Sequence, residues 1–197
     1  MRYFVFVENG DVEDNAVLSD PPESIKDELF RFREGVPLKD WFPSPAVFPM
    51  DPEFPKARKL YDLQATTLSI TIASKALKTT FDEAGCDNVE YLPILIHNHR
   101  GKLASADYCI ANILQPVDAM DREASIYTNS ALIPSLVTRL EKLVLRMEAI
   151  PPGLHLFRLT GVPHYPLVSE TLKRAIEKKK LTGMLFVAPE EFNSALY

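Results

Sequence analysis

Two segments of this chain, 95 residues apart, follow one pattern, and that pattern constrains the fold more than any other feature. Ile72 to Phe81 reads IASKALKTTF, and Pro166 to Val187 reads PLVSETLKRAIEKKKLTGMLFV. Aligned on their serines, Ser74 falls on Ser169, Leu77 on Leu172, Lys78 on Lys173 and Phe81 on Ile176. In each, a short apolar run meets a serine whose side-chain oxygen can accept a backbone N–H of the first helical turn. Apolar residues then recur at helical spacing, and a further apolar strand follows. A strand-helix-strand unit of this kind carries one apolar helix stripe and cannot bury it alone, so the two need a shared core. The expectation is an α+β fold: a single domain over residues 1–197, with a mostly antiparallel sheet, two similar strand-helix-strand units packed on it and an N-terminal helix.

The remaining segments fill in that outline. Tyr3 to Val7 is aromatic and β-branched and predicts a strand, and Asn9-Gly10 after it is a two-residue hairpin signal. Asp20, Pro21 and Glu23 predict a capping box with proline at the first helical position. Ile25, Leu29 and Phe32 then carry the helix to a stop at Gly35. Residues 36–58 change texture: Pro37, Pro43, Pro45, Pro49, Pro52 and Pro55 remove backbone donors, which predicts a wrapping loop pinned to the core by Trp41, Phe42, Phe48 and Phe54. The rival reading is an aromatic recognition surface, since long irregular loops often carry function.

Val89 to His97 and Ala106 to Leu114 predict an antiparallel hairpin turning at Gly101. Leu140 to Met147 and Leu154 to Leu159 predict two more strands around Pro151-Pro152-Gly153, and Pro163 and Pro166 are expected to break the chain before the second unit. In that unit Leu172 and Ile176 form the helix stripe, Lys178 to Lys180 complement the helix dipole, and Thr182-Gly183 forms the exit.

Net charge is -5, which argues against a nucleic-acid partner. The charge is uneven, with 8 basic and 13 acidic residues in 1–63 against 9 and 6 in 136–197. Cys86 and Cys109 match no zinc or redox spacing and predict free thiols in a reducing compartment. RYFVFV is too short for the apolar core of a signal peptide and is closed by Glu8. With no membrane span visible, a cytoplasmic location is expected.

Candidate chemistry is sparse. His97-Asn98-His99 spells the name of a nuclease class whose ligands are in fact scattered along the chain, and His99 is expected simply to occupy the turn. Asp118, Asp121 and Glu123 could hold a divalent cation or act as acid and base if they converged, and the simpler reading is a polar connection. Ser74 and Ser169 read as helix caps outside any nucleophile elbow, and seven glycines with no glycine-rich run leave no phosphate loop. Neither catalytic residues, metal nor cofactor is expected.

Leu156-Phe157-Arg158 ending a strand, Val168-Ser169-Glu170 opening the helix, and Leu181-Thr182-Gly183 leading into Phe186 occur in an order and spacing that resemble a family of bacterial immunity proteins. That family comes from polymorphic toxin loci and is typified by a myxobacterial member. Tyr91-Leu92-Pro93 and Val117-Asp118 also fit, so the likeness runs from about Tyr61 to Val187, while residues 36–58 have no placed counterpart. The resemblance implies a non-enzymatic protein that binds and neutralises a cognate toxin encoded nearby. Two alternatives remain: a metal-dependent enzyme reversing a toxin's modification through Asp118, Asp121 and Glu123, and an interaction module with no toxin. The acidic first third and the stranded aromatics make Asp11, Glu13, Asp14, Trp41 and Phe42 the candidate toxin-binding residues. The oligomeric state is left open.

Overall fold

Alternate residues of strand β1 (Tyr3–Glu8) belong to different apolar clusters, Tyr3, Val5 and Val7 to one, Phe4 and Phe6 to another. A strand buried on both faces must lie between two layers, and β1 sits inside a four-stranded sheet with packing on either side. The computed structural model describes residues 1–10, 13–19 and 21–196. After β1 come helix α1 (Glu23–Lys26), a 3-10 turn (Leu29–Arg33) and strands β2 (Ala46–Pro49), β3 (Leu63–Gln64) and β4 (Ile72–Ser74). Helix α2 (Lys75–Glu83) leads to β5 (Val89–His97), β6 (Leu103–Ile113), β7 (Ile126–Asn129) and β8 (Val137–Lys142). The chain ends with β9 (Leu156–Leu159), β10 (Val162–Ser169), helix α3 (Glu170–Lys178) and β11 (Met184–Val187), with 3-10 turns at Met147–Ala149 and Pro189–Glu191.

The strands form a four-stranded sheet in the order β11-β1-β10-β9, a five-stranded sheet in the order β2-β5-β6-β4-β3 and a β7-β8 ribbon. Every pairing is antiparallel except β2 with β5. The fold is α+β, and its sheets are mostly antiparallel. The strands flanking α2 are β4 and β5, and those flanking α3 are β10 and β11. In both cases the flanking strands run parallel to each other with one antiparallel strand between them, β6 in one sheet and β1 in the other.

Each of these helices starts from a serine in extended backbone: Ser74 Oγ accepts from Leu77 N and Ser169 Oγ from Leu172 N, both at 3.1 Å. Leu77, Phe81, Leu172 and Ile176 are fully buried in one cluster drawn from both helices and both sheets. The expectation of one common sheet is therefore corrected. The two segments sit on different sheets and share the core between them.

Other expectations need correction for identifiable reasons. The N-terminal helix stops at Lys26 and is replaced by the 3-10 turn, with no side-chain cap at Pro22; Asp20 lies outside the described residues. Tertiary contacts override the helical periodicity there, because Phe32 is drawn among Trp41 and Phe42 and its carbonyl accepts from the Arg158 guanidinium. Asn9-Gly10 closes no hairpin, since β1 pairs with β10 and β11 and Asn9 N donates to Gly183 O. Residues 36–58 do contain a strand: β2 lies on a sheet edge, where Pro49 costs no ladder bond that a central strand would need. Pro163 and Pro166 lie inside β10, at the place where its register with β9 shifts between Val162 and Leu167. The expected strand over Leu140 to Met147 is instead β8 followed by a 3-10 turn. The β5-β6 hairpin turns as expected, with Gly101 at φ +69 and its N–H on Asn98 O at 2.8 Å.

Candidate functional site

Strand alternation places Glu8 on the same face of β1 as Phe4 and Phe6, and Arg158 on the same face of β9 as Leu156. Those three apolar residues belong to the cluster between the sheets, so a carboxyl and a guanidinium end on an inward face. There they line a cleft of about 370 Å³ between the four-stranded sheet and the connection from β3 to β4, together with Thr66, Ser69 and His164. Ser69 holds a left-handed backbone, φ +56, at this wall, a conformation that costs energy for a non-glycine residue.

Burial displaces Glu8, His164 and Arg158 from their ordinary values. Glu8 accepts a hydrogen bond from Thr66 N at 3.1 Å, which favours its charged form. Burial outweighs that bond and pushes the carboxyl up to about 7. Burial lowers His164 to about 4, and the nearby charges of Arg33 and Arg158 act in the same direction, so the ring is neutral at pH 7. Its Nδ1 is buried and has no hydrogen-bond partner among the described residues. Arg158 is 6% exposed and is lowered to about 10 by burial, so it stays charged at pH 7. Its Nη1 donates to Phe32 O and its Nη2 to Ile113 O and, at 3.3 Å, to Asn112 Oδ1; its buried Nε has no partner. Among the described residues no carboxylate pairs with it.

From Arg158 the polar contacts continue outward. Asn112 Nδ2 donates to Val36 O at 2.9 Å and to Glu90 Oε2 at 3.1 Å. Glu90 in turn accepts from Leu38 N at 2.7 Å and Lys39 N at 3.0 Å. A chain of side chains thus runs from the cleft to the start of the proline-rich segment and fixes it just ahead of Trp41.

The candidate toxin-binding residues fall in two places. Trp41 is half-buried under the Arg31 guanidinium, 4.7 Å from its ring centroid, while Phe42 is 5% exposed, with its ring centroid 6.1 Å from Phe32 and 6.4 Å from Trp41. Glu13 and Asp14 are exposed; Tyr61 Oη donates to Asp14 Oδ1 at 2.7 Å, and Lys59 Nζ stands 3.7 Å from Asp14 Oδ2. Asp11 lies outside the described residues.

Asp118, Asp121 and Glu123 are not gathered around a common point. Asp118 pairs with Arg146 at 3.2 Å, and Asp121 Oδ1 accepts from the backbone of Glu123 and Ala124. Among the described residues no three His, Cys, Asp or Glu are placed to hold a metal ion. His99 occupies the β5-β6 turn with its Nε2 3.1 Å from Asp51 O. Cys86 and Cys109 are free and buried, each pushed up to about 12 chiefly by burial, so neither is a reactive thiolate at pH 7.

The model of the Immunity protein family (Imm11) matches residues 7–190. The chain belongs to this family. No curated protein matches it. The Imm11 match takes in Glu8, Arg158, His164, Trp41 and both serine-capped helices, and it extends across the proline-rich segment for which the resemblance of Tyr61 to Val187 gave no counterpart. Among the described residues no helix is long and apolar enough to cross a membrane.

Proposed function

We propose that this protein neutralises a cognate toxin, encoded beside it in a bacterial polymorphic toxin locus, by binding it in the cytoplasm without catalysis. The observation that carries this reading is membership of the Imm11 immunity family over residues 7–190. Two features of the chain support a binding rather than a catalytic role. The carboxylates of Asp118 and Asp121 are spent on local structure, and Ser74 and Ser169 cap helices.

The proposed contact surface is acidic and aromatic. Glu13 and Asp14, with Asp11, supply rim charge that speeds encounter with a basic toxin, while Trp41 supplies an anchor. Phe42 packs behind Trp41 and holds it, so its contribution to binding is indirect. Surface plasmon resonance against the toxin tests this. Trp41→Ala is expected to raise the off-rate about tenfold or more, and a charge-neutralised Asp11, Glu13 and Asp14 variant to lower the on-rate in a salt-dependent way. If both variants fold and bind like the parent in both rate constants, the interface lies elsewhere on the molecule.

A further inference from the structure

We propose that the cleft beside Glu8 and Arg158 is a binding site for a small monocarboxylate with an apolar body. Its carboxylate is held by Arg158 and His164, and its body rests on Phe6, Leu63 and Ile70. The proposal is independent of toxin neutralisation and stands or falls separately from it.

The first observation is the state of the guanidinium. Moving a charge out of water is costly unless an opposite charge accompanies it, yet the hydrogen-bond acceptors of Arg158 are two backbone carbonyls and an amide oxygen, all neutral. Glu8, in the same cleft, places its carboxylate on Thr66 N and makes no ion pair with Arg158. The second observation is that two cleft residues each keep an unpaired buried nitrogen, Arg158 Nε and His164 Nδ1. Buried polar groups in native proteins are rarely left so, and the two residues that carry these nitrogens line one cavity, which points to a missing acceptor.

Charge and shape then select the ligand. One uncompensated guanidinium matches a single negative charge, so a dianionic phosphate would be over-charged for the site. The neutral His164 ring can donate from Nδ1 as one tautomer, giving the second carboxylate oxygen a partner. A cavity of about 370 Å³ is at the small end of ligand sites, and its apolar wall of Phe6, Leu63 and Ile70 suits a hydrocarbon or single-ring body.

Glu8 makes the site pH-sensitive. Its carboxylate accepts from the Thr66 N–H, and it shares the cleft with Ser69 and Thr71 and with Arg158, His164 and Tyr165 from the four-stranded sheet. Of the three cleft groups displaced by burial, Glu8 changes charge near neutrality, while Arg158 stays charged and His164 neutral. Once ionised, Glu8 brings a second negative charge into the cleft and opposes the ligand.

The test is a titration of the full-length protein with sodium benzoate, followed by amide chemical shifts, with benzamide as the neutral isostere and inorganic sulfate as the dianion. Benzoate is expected to give saturable shifts at Thr66, Arg158 and His164, and benzamide to bind about tenfold more weakly or worse. Benzoate affinity is expected to fall about five- to tenfold from pH 6 to pH 8 in the parent and to stay level in Glu8→Gln. Arg158→Gln also removes bonds that hold the fold, so the comparison rests on benzamide and on Glu8→Gln, which leave those bonds in place. Absence of saturable shifts at these amides, equal binding of benzamide or sulfate, or an unchanged pH dependence in Glu8→Gln would each overturn the assignment.

Discussion

Glu8 and His164 sit in the same cleft and respond to pH in opposite senses. The Glu8 carboxyl is raised from 4.5 to about 7, so as pH climbs through that window the unfolded chain releases its proton first and the fold loses stability. By the shift, that loss is about 3 kcal/mol and is complete above pH 7. His164 is lowered from 6.5 to about 4, so its contribution is full above pH 6.5 and declines as pH falls toward 4. Urea midpoints across pH 5 to 8 check this: Glu8→Gln should gain stability relative to the parent as pH rises, and parallel curves would show that Glu8 does not titrate in this way.

At the serine caps the effect is local. Ser169→Ala should cost about 1 kcal/mol while leaving toxin protection intact in folded protein, since the hydrogen bonds of Ser169 Oγ among the described residues are the cap bond to Leu172 N and, at 2.7 Å, one to the His155 ring. Loss of protection in a normally folded Ser169→Ala protein would instead give the serine a functional part. Both caps were legible in the sequence because a cap depends on its own next turn. Arg158 and Glu8 were legible only as charges closing apolar strands, because what makes them a site is burial set by strands far apart in the chain.

Among the elements, α3 shows the strongest agreement between pattern and packing. Leu172→Ala should cost about 2–5 kcal/mol, measured by denaturant unfolding, because the side chain is fully buried between both helices and both sheets. A loss below about 0.5 kcal/mol would contradict that placement. The proline-rich segment offers a different handle. Glu90 holds Leu38 N, Lys39 N and Asn112 together, so Glu90→Ala removes an acceptor from three donors, of which Leu38 N is left without its partner in a part-buried place, and should cost about 1–3 kcal/mol. Trp41, the single tryptophan, should then report a looser segment through a red-shifted emission. An unshifted spectrum would mean that the aromatic contacts alone hold it. The proline count hid β2 because an edge strand, paired on one side, tolerates residues that a central strand does not. The N-terminal helix was overpredicted because its periodicity is shared by a chain that Phe32 and Arg158 pull into a 3-10 turn.

For the whole molecule, the α+β class followed from helix and strand periods, but the division into separate sheets did not. Which strand neighbours which depends on pairings such as Val5 with Leu167 and Val187, and nothing local to Tyr3–Glu8 encodes them; the local turn signal pointed to a hairpin instead. Similar serine-capped helices on two sheets also explain why a repeat in sequence suggested one sheet. Stoichiometric antagonism of the toxin proposed to be encoded beside this chain is tested by titrating that toxin's activity with the purified protein at concentrations well above the dissociation constant. Toxin activity is expected to fall linearly to a sharp break at a fixed stoichiometric ratio, with the toxin recovered active and chemically unchanged when the complex is separated. Protection at far substoichiometric amounts, or toxin recovered in altered form, would contradict binding as the mechanism.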